Sequence, residues 1–277
     1  MLERELREAA QAARDAGQIL LDVYATDFSV TLKGVADPVT RADELSNALL
    51  VERLRSLFPN DAIVAEEGHD DRDTARRSRC WYVDPLDGTK EFIAKNGEFS
   101  VMIGLAIEGV AMLGVVYQPT ADKLYTGIVG QRASLEHAGR TEELRVSERA
   151  DPAEARLVVS RSHRGKSIDT FVERLGICHE EPSGSVGLKI GLLAEKQADL
   201  YVHPSDRSSA WDACAPDAIL RAAGGRFTDC TGAPFRYGLT ELRNTRGILA
   251  TNAALFELVV PVARDVAREA GLPMTEV

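Results

Sequence analysis

Asp84 and Asp87 lie three residues apart in Asp84-Pro85-Leu86-Asp87-Gly88-Thr89, after a short apolar run and ahead of a helix start. Hard divalent cations need clustered oxygen donors, and the two carboxylates converge if the chain turns at Pro85. Such a turn also frees the Leu86 carbonyl to coordinate, and leaves the Gly88 and Thr89 amides to meet a phosphate. Taken alone, this motif is an ordinary turn with an Asp helix cap, because Asp, Pro and Gly are the commonest turn formers. Its company shifts the balance. Asp43, Glu66-Glu67 and Asp212 are further acids at helix starts or strand ends beside apolar segments, where unpaired carboxylates are costly. Each has a local alternative: Thr40 to Asp43 reads as a capping box, and Asp212 as an N-cap with Pro216 in the first turn.

The elements that must position these acids follow from periodicity. Helical spacing of apolar residues predicts helices over 2–24 and 41–58, with a bent connection or hairpin at 30–39 between them. Strands are expected at 62–65, 80–83, 99–107, 110–117 and 123–129, in a mostly antiparallel sheet, with a loop at 69–79. The polar stretch 130–155 reads as a loop region or an interface. A β-α alternation then begins: strand 156–160, helix 166–175, a short strand, helix 186–196 and a strand through Tyr201. Helix 212–223 ends at Gly224-Gly225, followed by strands 226–230 and 247–250 and a helix over 252–270. The chain therefore divides into an N-terminal α+β half, 1–155, and a C-terminal α/β half, 156–277.

Composition excludes several classes. The 277 residues carry 33 Lys+Arg against 43 Asp+Glu, a formal charge of −10 that argues against polymeric nucleic acid as a partner. No apolar run approaches the ~20 residues of a membrane helix, so a cytoplasmic protein, at most peripheral to the inner membrane face, is expected. Cys80, Cys178, Cys214 and Cys230 lack C-x-x-C spacing and read as reduced core thiols, Cys80 and Cys214 being near the acids of interest. Cys-x5-Arg, phosphohistidine and P-loop motifs are absent.

In order along the chain, Asp37–Asp43 (DPVTRAD), Glu66-Glu67-Gly68, Trp81–Thr89 (WYVDPLDGT) and the run from Trp211-Asp212 to Gly225 resemble the inositol monophosphatase-like family of metal-dependent, lithium-sensitive phosphatases. Asp87–Ile93 (DGTKEFI), Ser160–His163 (SRSH), the segment from Gly184 to Lys189 and AWDACAPDAI are most similar to its bacterial bisphosphate nucleotidase branch. The resemblance implies an α+β fold, a layered αβαβα sandwich, with two or three Mg²⁺ ions and inhibition by Li⁺. It implies that Glu66, Asp84, the Leu86 carbonyl, Asp87 and Asp212 bind metal, with Asp84 bridging. Asp43 and Thr89 match the pair that activates water, and Glu67 a neighbouring position.

A phosphate monoester is a dianion whose hydrolysis needs charge neutralisation and an in-line water, which clustered Mg²⁺ supplies. The expected substrate is a small phosphorylated nucleotide, adenosine 3',5'-bisphosphate or its sulfated relative, in sulfur metabolism. Lys33, Lys90, Arg161, His163, Lys189, His203 and Arg207 are the candidate cations for its second phosphate, and Ser160, Ser183, Gly184 and Ser185 the candidate hydrogen-bonding groups. Each has an alternative as a solvated charge or a turn residue. Rival readings are an inositol-1-phosphate or histidinol-phosphate phosphatase, and a silent nucleotide or metal sensor. The chain is expected as a monomer or homodimer.

Overall fold

The computed structural model describes residues 2–34, 37–68, 77–162 and 164–274. Most of the loop expected at 69–79 therefore lies outside the described residues, as does His163. Two long helices open the chain, α1 (Glu3–Tyr24) and α2 (Arg41–Leu57), joined through the antiparallel hairpin β1 (Val30–Gly34) and β2 (Asp37–Thr40). The inner face of α1 is Ala9, Ala12, Ala13, Ala16 and Gly17, small residues that let the helix lie close on the sheet beneath. A Cβ at Gly17 would sit 2.7 Å from Tyr117 Cδ1, so the contact needs glycine.

That sheet has seven strands in sequence order: β3 (Ala62–Ala65), β4 (Arg79–Asp87), β5 (Ser100–Ile107), β6 (Val110–Gln118), β7 (Lys123–Ile128), β8 (Arg132–His137) and β9 (Arg140–Leu144). Only β3 and β4 are parallel within it. The last two strands fall in the stretch read from sequence as loop or interface. They form a hairpin whose turn, Ala138-Gly139, has φ of +50° and +73°. Their apolar signal is thin, because one face is solvated and only Ala133, Leu135 and Leu144 are buried.

The second sheet has the order β11-β10-β12-β14-β13, built from β10 (Arg156–Ser160), β11 (His179–Ser183), β12 (Leu200–His203), β13 (Arg226–Thr228) and β14 (Ile248–Thr251). Strands β10, β11 and β12 are parallel, and β14 is antiparallel to both its neighbours. The short α3 (Thr89–Ile93) follows β4; helices α5 (Val186–Ala194) and α6 (Ala210–Ala222) fill the space between the sheets, while α4 (Lys166–Leu175) and α7 (Phe256–Glu269) cover the outer face. The result is the expected α+β stack of helix, sheet, helix, sheet and helix layers. Helix α7 starts four residues later than its apolar pattern suggests, since Asn252 Oδ1 accepts the Leu255 N–H ahead of it. Three cysteines are buried free thiols; Cys178, just before edge strand β11, is exposed, contrary to its expected core position.

A row of glycines sets the position of α6. Gly104, Gly114 and Gly127 face one another across β5, β6 and β7. A Cβ at Gly104 would lie 2.7 Å from Ala215 N, and one at Gly127 2.7 Å from Ile219 Cα. The helix backbone thus rests directly on the strands. Gly114→Ala would drive a methyl into the Ala215 backbone. Overpacking of this kind costs about 1–3 kcal/mol, a fall in Tm of roughly 2–10 °C for a chain this long. Thermal unfolding followed by circular dichroism should show that fall together with reduced catalytic activity; an unchanged Tm would mean that α6 does not bear on the glycine row.

Candidate functional site

Residues i and i+3 of a regular strand point to opposite faces. Between Asp84 and Asp87 the register of β4 against β5 slips: Asp84 pairs Met102, Asp87 pairs Ser100, and Pro85 and Leu86 together oppose Val101. The irregularity is a β-bulge in a continuing strand, in place of the expected turn, and it brings both carboxylates to one face. Proline, which has no N–H for the ladder, suits the bulged position. Ser46 Oγ secures it by donating to the Pro85 carbonyl at 2.9 Å.

Asp212 arrives from α6. The helix begins at Ala210 with Ser209 as N-cap, so Asp212 is the third residue of a capping box and not the N-cap itself. Pro216 consequently lies in the second turn, and cannot donate to the Asp212 carbonyl. One carboxylate oxygen each from Asp84, Asp87 and Asp212 lies within 4.8 Å of the others. Every member is anchored through backbone N–H groups: Asp84 accepts from Leu86 N at 3.0 Å, Asp212 from Ser209 N, and Asp87 from Gly187 N at 3.1 Å. Asp87 also accepts the Ser185 hydroxyl.

The electrostatics are those of a buried acid cluster that one cation, Lys189, does not neutralise. Burial, then the charges of Glu66, Asp87 and Asp212, pushes Asp84 well above the usual carboxylate range. Asp212 is raised in the same way, by burial first and then by Asp87 and Glu66. Asp87 is raised by burial, against the opposing pull of Lys189, Ser185 and Gly187. Glu66, in the turn after β3, thus acts on the cluster through its charge. An all-oxygen set of this kind fits a hard dication, which would balance the charge that Lys189 leaves over.

Asp43 fulfils both of its readings at once. Its Oδ2 accepts Thr40 N and Thr40 Oγ1, each at 2.7 Å, closing the capping box of α2. Its Oδ1 lies 3.3 Å from Thr89 Oγ1, which is also 3.2 Å from the Leu86 carbonyl. Gly88, at φ +98°, has no room for a side chain, since a Cβ would sit 2.9 Å from the Glu98 carbonyl. Asn47 Nδ2 reaches the Glu67 carbonyl at 3.5 Å.

A cleft of about 220 Å³ opens beside the acids and is bounded by Asp87, Gly88, Thr89 and Asp212. Of the residues expected to meet substrate, it gathers Lys90, Ser160, Gly184, Ser185, Lys189, His203 and Arg207. It does not gather Arg161, whose guanidinium instead forms a two-pronged pair with Glu98. Lys33 falls on β1, and its side chain lies outside the described residues. Lys189 is buried, pushed down to about 8 by desolvation against the pull of Asp87 and neighbouring glutamates. Its Nζ donates to the Gly184 and Ser185 carbonyls. Tyr201 and Glu91 also line the cleft and were not anticipated. The i, i+2 spacing of Tyr201 and His203 on β12 would have put them on one face, and their rings stack 6.4 Å apart. Nothing in local sequence separates buried Glu91 from a solvated helix acid. A wider depression of about 920 Å³ along β11, lined by Glu154, Glu180 and Glu181 among others, shares no residue with this cleft.

The family model described as the inositol monophosphatase family matches residues 1–268. The chain belongs to the inositol monophosphatase family. The 3'(2'),5'-bisphosphate nucleotidase CysQ of Escherichia coli O157:H7 is 36% identical over 235 residues, covering 84% of this chain and 93% of that protein. The crystal structure of CysQ from Bacteroides thetaiotaomicron is 29% identical with a TM-score of 0.77, covering 91% of this chain and 98% of that one. An IMPase from Thermotoga maritima superimposes with a TM-score of 0.81 at 26% identity, covering 96% and 99%. Inositol monophosphatase family members are Mg²⁺-dependent phosphatases, and this chain is a phosphatase. Among its described residues, no helix is long and apolar enough to cross a membrane.

The raised carboxylates set the sign of a pH effect. The metal-free fold holds protons on Asp84, Asp87 and Asp212 that the unfolded chain has already released, so their contribution to stability is lost as pH rises above the ordinary carboxylate range. Metal requires the deprotonated forms and therefore binds better over the same rise. Mg²⁺ should raise Tm more at about pH 8 than at about pH 5.5, with the difference reduced in Asp87→Asn; differential scanning calorimetry showing the reverse trend would contradict this assignment.

Proposed function

We propose that the protein is a Mg²⁺-dependent 3'(2'),5'-bisphosphate nucleotidase, which hydrolyses the 3'-phosphate of adenosine 3',5'-bisphosphate to AMP and phosphate and acts also on 3'-phosphoadenylyl sulfate. The observation that carries the reading is one cleft with carboxylates at its floor and Lys90, Lys189, His203 and Arg207 on its walls. A substrate with two separate anionic groups fits that arrangement: one at the acids, the other against the cations. A single phosphate on a neutral polyol would offer that wall no second anion. The names of the CysQ relatives support the same substrate class.

In this reading Glu66, Asp84, the Leu86 carbonyl, Asp87 and Asp212 hold the metal. Bound Mg²⁺ would neutralise the phosphate dianion and lower the pKa of an attacking water. Thr89 Oγ1 accepts a hydrogen bond from that water and passes its own proton toward Asp43 Oδ1, which it faces at 3.3 Å. Oxygen attacks phosphorus in line, the P–O3' bond breaks, and the leaving alkoxide takes a proton from solvent. The Gly88 and Thr89 amides would meet the phosphate oxygens. Both substrates belong to sulfate activation, and the enzyme then serves sulfur metabolism in the cytoplasm.

Phosphate release from adenosine 3',5'-bisphosphate, inositol 1-phosphate and fructose 1,6-bisphosphate, measured in parallel with Mg²⁺, tests the reading. The nucleotide should be strongly preferred and its turnover suppressed by Li⁺. Asp87→Asn should lower turnover by more than about 100-fold, beyond the usual effect of a residue that merely supports a ligand. Preference for inositol 1-phosphate would refute the substrate assignment, and no hydrolysis of any of the three would favour the silent sensor.

A further inference from the structure

Asp87 is held chiefly from the C-terminal half of the chain. Its Oδ2 accepts Ser185 Oγ at 2.5 Å and Gly187 N–H at 3.1 Å. Ser185, the N-cap of α5, sits at φ +46° and ψ 133°, a conformation that residues with a side chain rarely adopt. Such strain persists only where the surroundings over-determine it.

Here the surroundings are two opposite charges gripping one stretch of backbone. Lys189 Nζ donates to the Gly184 and Ser185 carbonyls at 3.0 and 2.8 Å. From the other side, Glu98 Oε2 accepts the Gly184 N–H at 2.7 Å. Glu98 is fixed in turn by Arg161, whose Nε and Nη2 donate to its two oxygens at 2.7 and 2.6 Å, and whose Nη2 also reaches the Pro182 carbonyl at 2.8 Å. A bidentate guanidinium pair defines direction as well as distance. Gly184 admits no alternative residue, because a Cβ would meet Glu91 Cγ at 2.6 Å and Glu98 Cβ at 2.8 Å. Burial raises the Glu98 carboxyl, but Arg161 and the Gly184 N–H outweigh it and hold the group ionised.

We propose that Glu98 is a positioning residue for the metal site: with Arg161 it clamps the Gly184–Ser185 turn, and through Ser185 Oγ and Gly187 N–H it sets the orientation of the Asp87 carboxylate. The inference deepens the metal-site reading above and rests on it. Glu98 lies just before β5, whereas Arg161 and Gly184 follow β10 and β11, so the clamp also ties the two halves of the chain at one corner of the cleft. Arg161, on this account, serves the clamp and not the substrate.

The test is Mg²⁺ affinity of the full chain by titration calorimetry, for wild type, Glu98→Ala, Glu98→Gln, Ser185→Ala and the Glu98→Ala/Ser185→Ala double variant. Groups that support a metal ligand typically contribute 10–100-fold, so Glu98→Ala should weaken Mg²⁺ binding about 10-fold, and Glu98→Gln, whose amide oxygen can still accept from Gly184, about 3-fold. Ser185→Ala removes the hydroxyl part of the route and leaves only the Gly187 N–H, so in that background Glu98→Ala should cost less, about 3-fold at most. Affinity of Glu98→Ala equal to wild type, or an undiminished loss in the Ser185→Ala background, would overturn the proposal. Should Glu98→Ala fail to fold, Glu98→Gln in the two backgrounds makes the same comparison. A wild type that binds Mg²⁺ yet spares the nucleotide refutes the substrate assignment while this comparison stands; a wild type that binds no Mg²⁺ overturns both.

Discussion

Everything at the site follows from the cost of bringing three carboxylates together away from water. With their oxygens within 4.8 Å of one another, each ionised pair repels by about 3.5 kcal/mol at an effective dielectric constant of ~20. Three such pairs, on the order of 10 kcal/mol, rival the net stability of a whole domain. The metal-free fold relieves this by retaining protons: burial raises all three groups, and neighbouring acid charge adds to it at Asp84 and Asp212. A dication relieves it by replacing the protons. Because the same repulsion opposes folding and favours metal, the cluster is tolerable only where the scaffold is held by interactions that do not depend on it.

Those interactions are largely backbone ones. A bulge turns Asp84 and Asp87 to one face, capping boxes fix Asp43 and Asp212, and the glycine row of β5, β6 and β7 lets α6 descend onto the first sheet. None of these relies on a long flexible side chain. Backbone N–H donors are pre-oriented by the elements to which they belong, so each carboxylate is aimed with little loss of side-chain freedom beyond its own. The cleft is thereby assembled from two sheets, two interlayer helices and the short helix Thr89–Ile93, and no single element contains the site.

The acids were legible in sequence because buried carboxylates beside apolar runs have few inexpensive explanations. The capping box at Asp43 proved compatible with a place at the site, since one oxygen caps while the other faces Thr89, whereas Asp212, read as an N-cap, closes the box begun by Ser209. Strands with two buried faces, such as β5, were legible from continuous apolar runs. Strands β8 and β9 were not, because half-solvated edge strands leave only alternate small apolar residues in a polar background. The bulge at Pro85 was indistinguishable from a turn, as both are satisfied by the same residues. Arg161 could not be assigned from its type alone: whether a guanidinium meets substrate or a neighbouring carboxylate depends on Glu98, 63 positions away.

A formal charge of −10 repels anions at long range, but the field relevant to an anionic substrate is local. At physiological ionic strength, charges beyond about 8 Å are largely screened, so the acidic exterior contributes little inside the cleft. There the nearest groups are Lys90, Lys189, His203 and Arg207, together with a carboxylate floor whose negative charge a dication would largely neutralise. Lys189 shows how finely this is poised: burial alone would favour its neutral form, and it is Asp87, Glu91 and Glu98 that keep it near a pKa of about 8. Metal binding at Asp87 would withdraw part of that support. On the proposed reading, the affinity of Lys189 for a second anion and that of the floor for its metal are coupled through the same carboxylate.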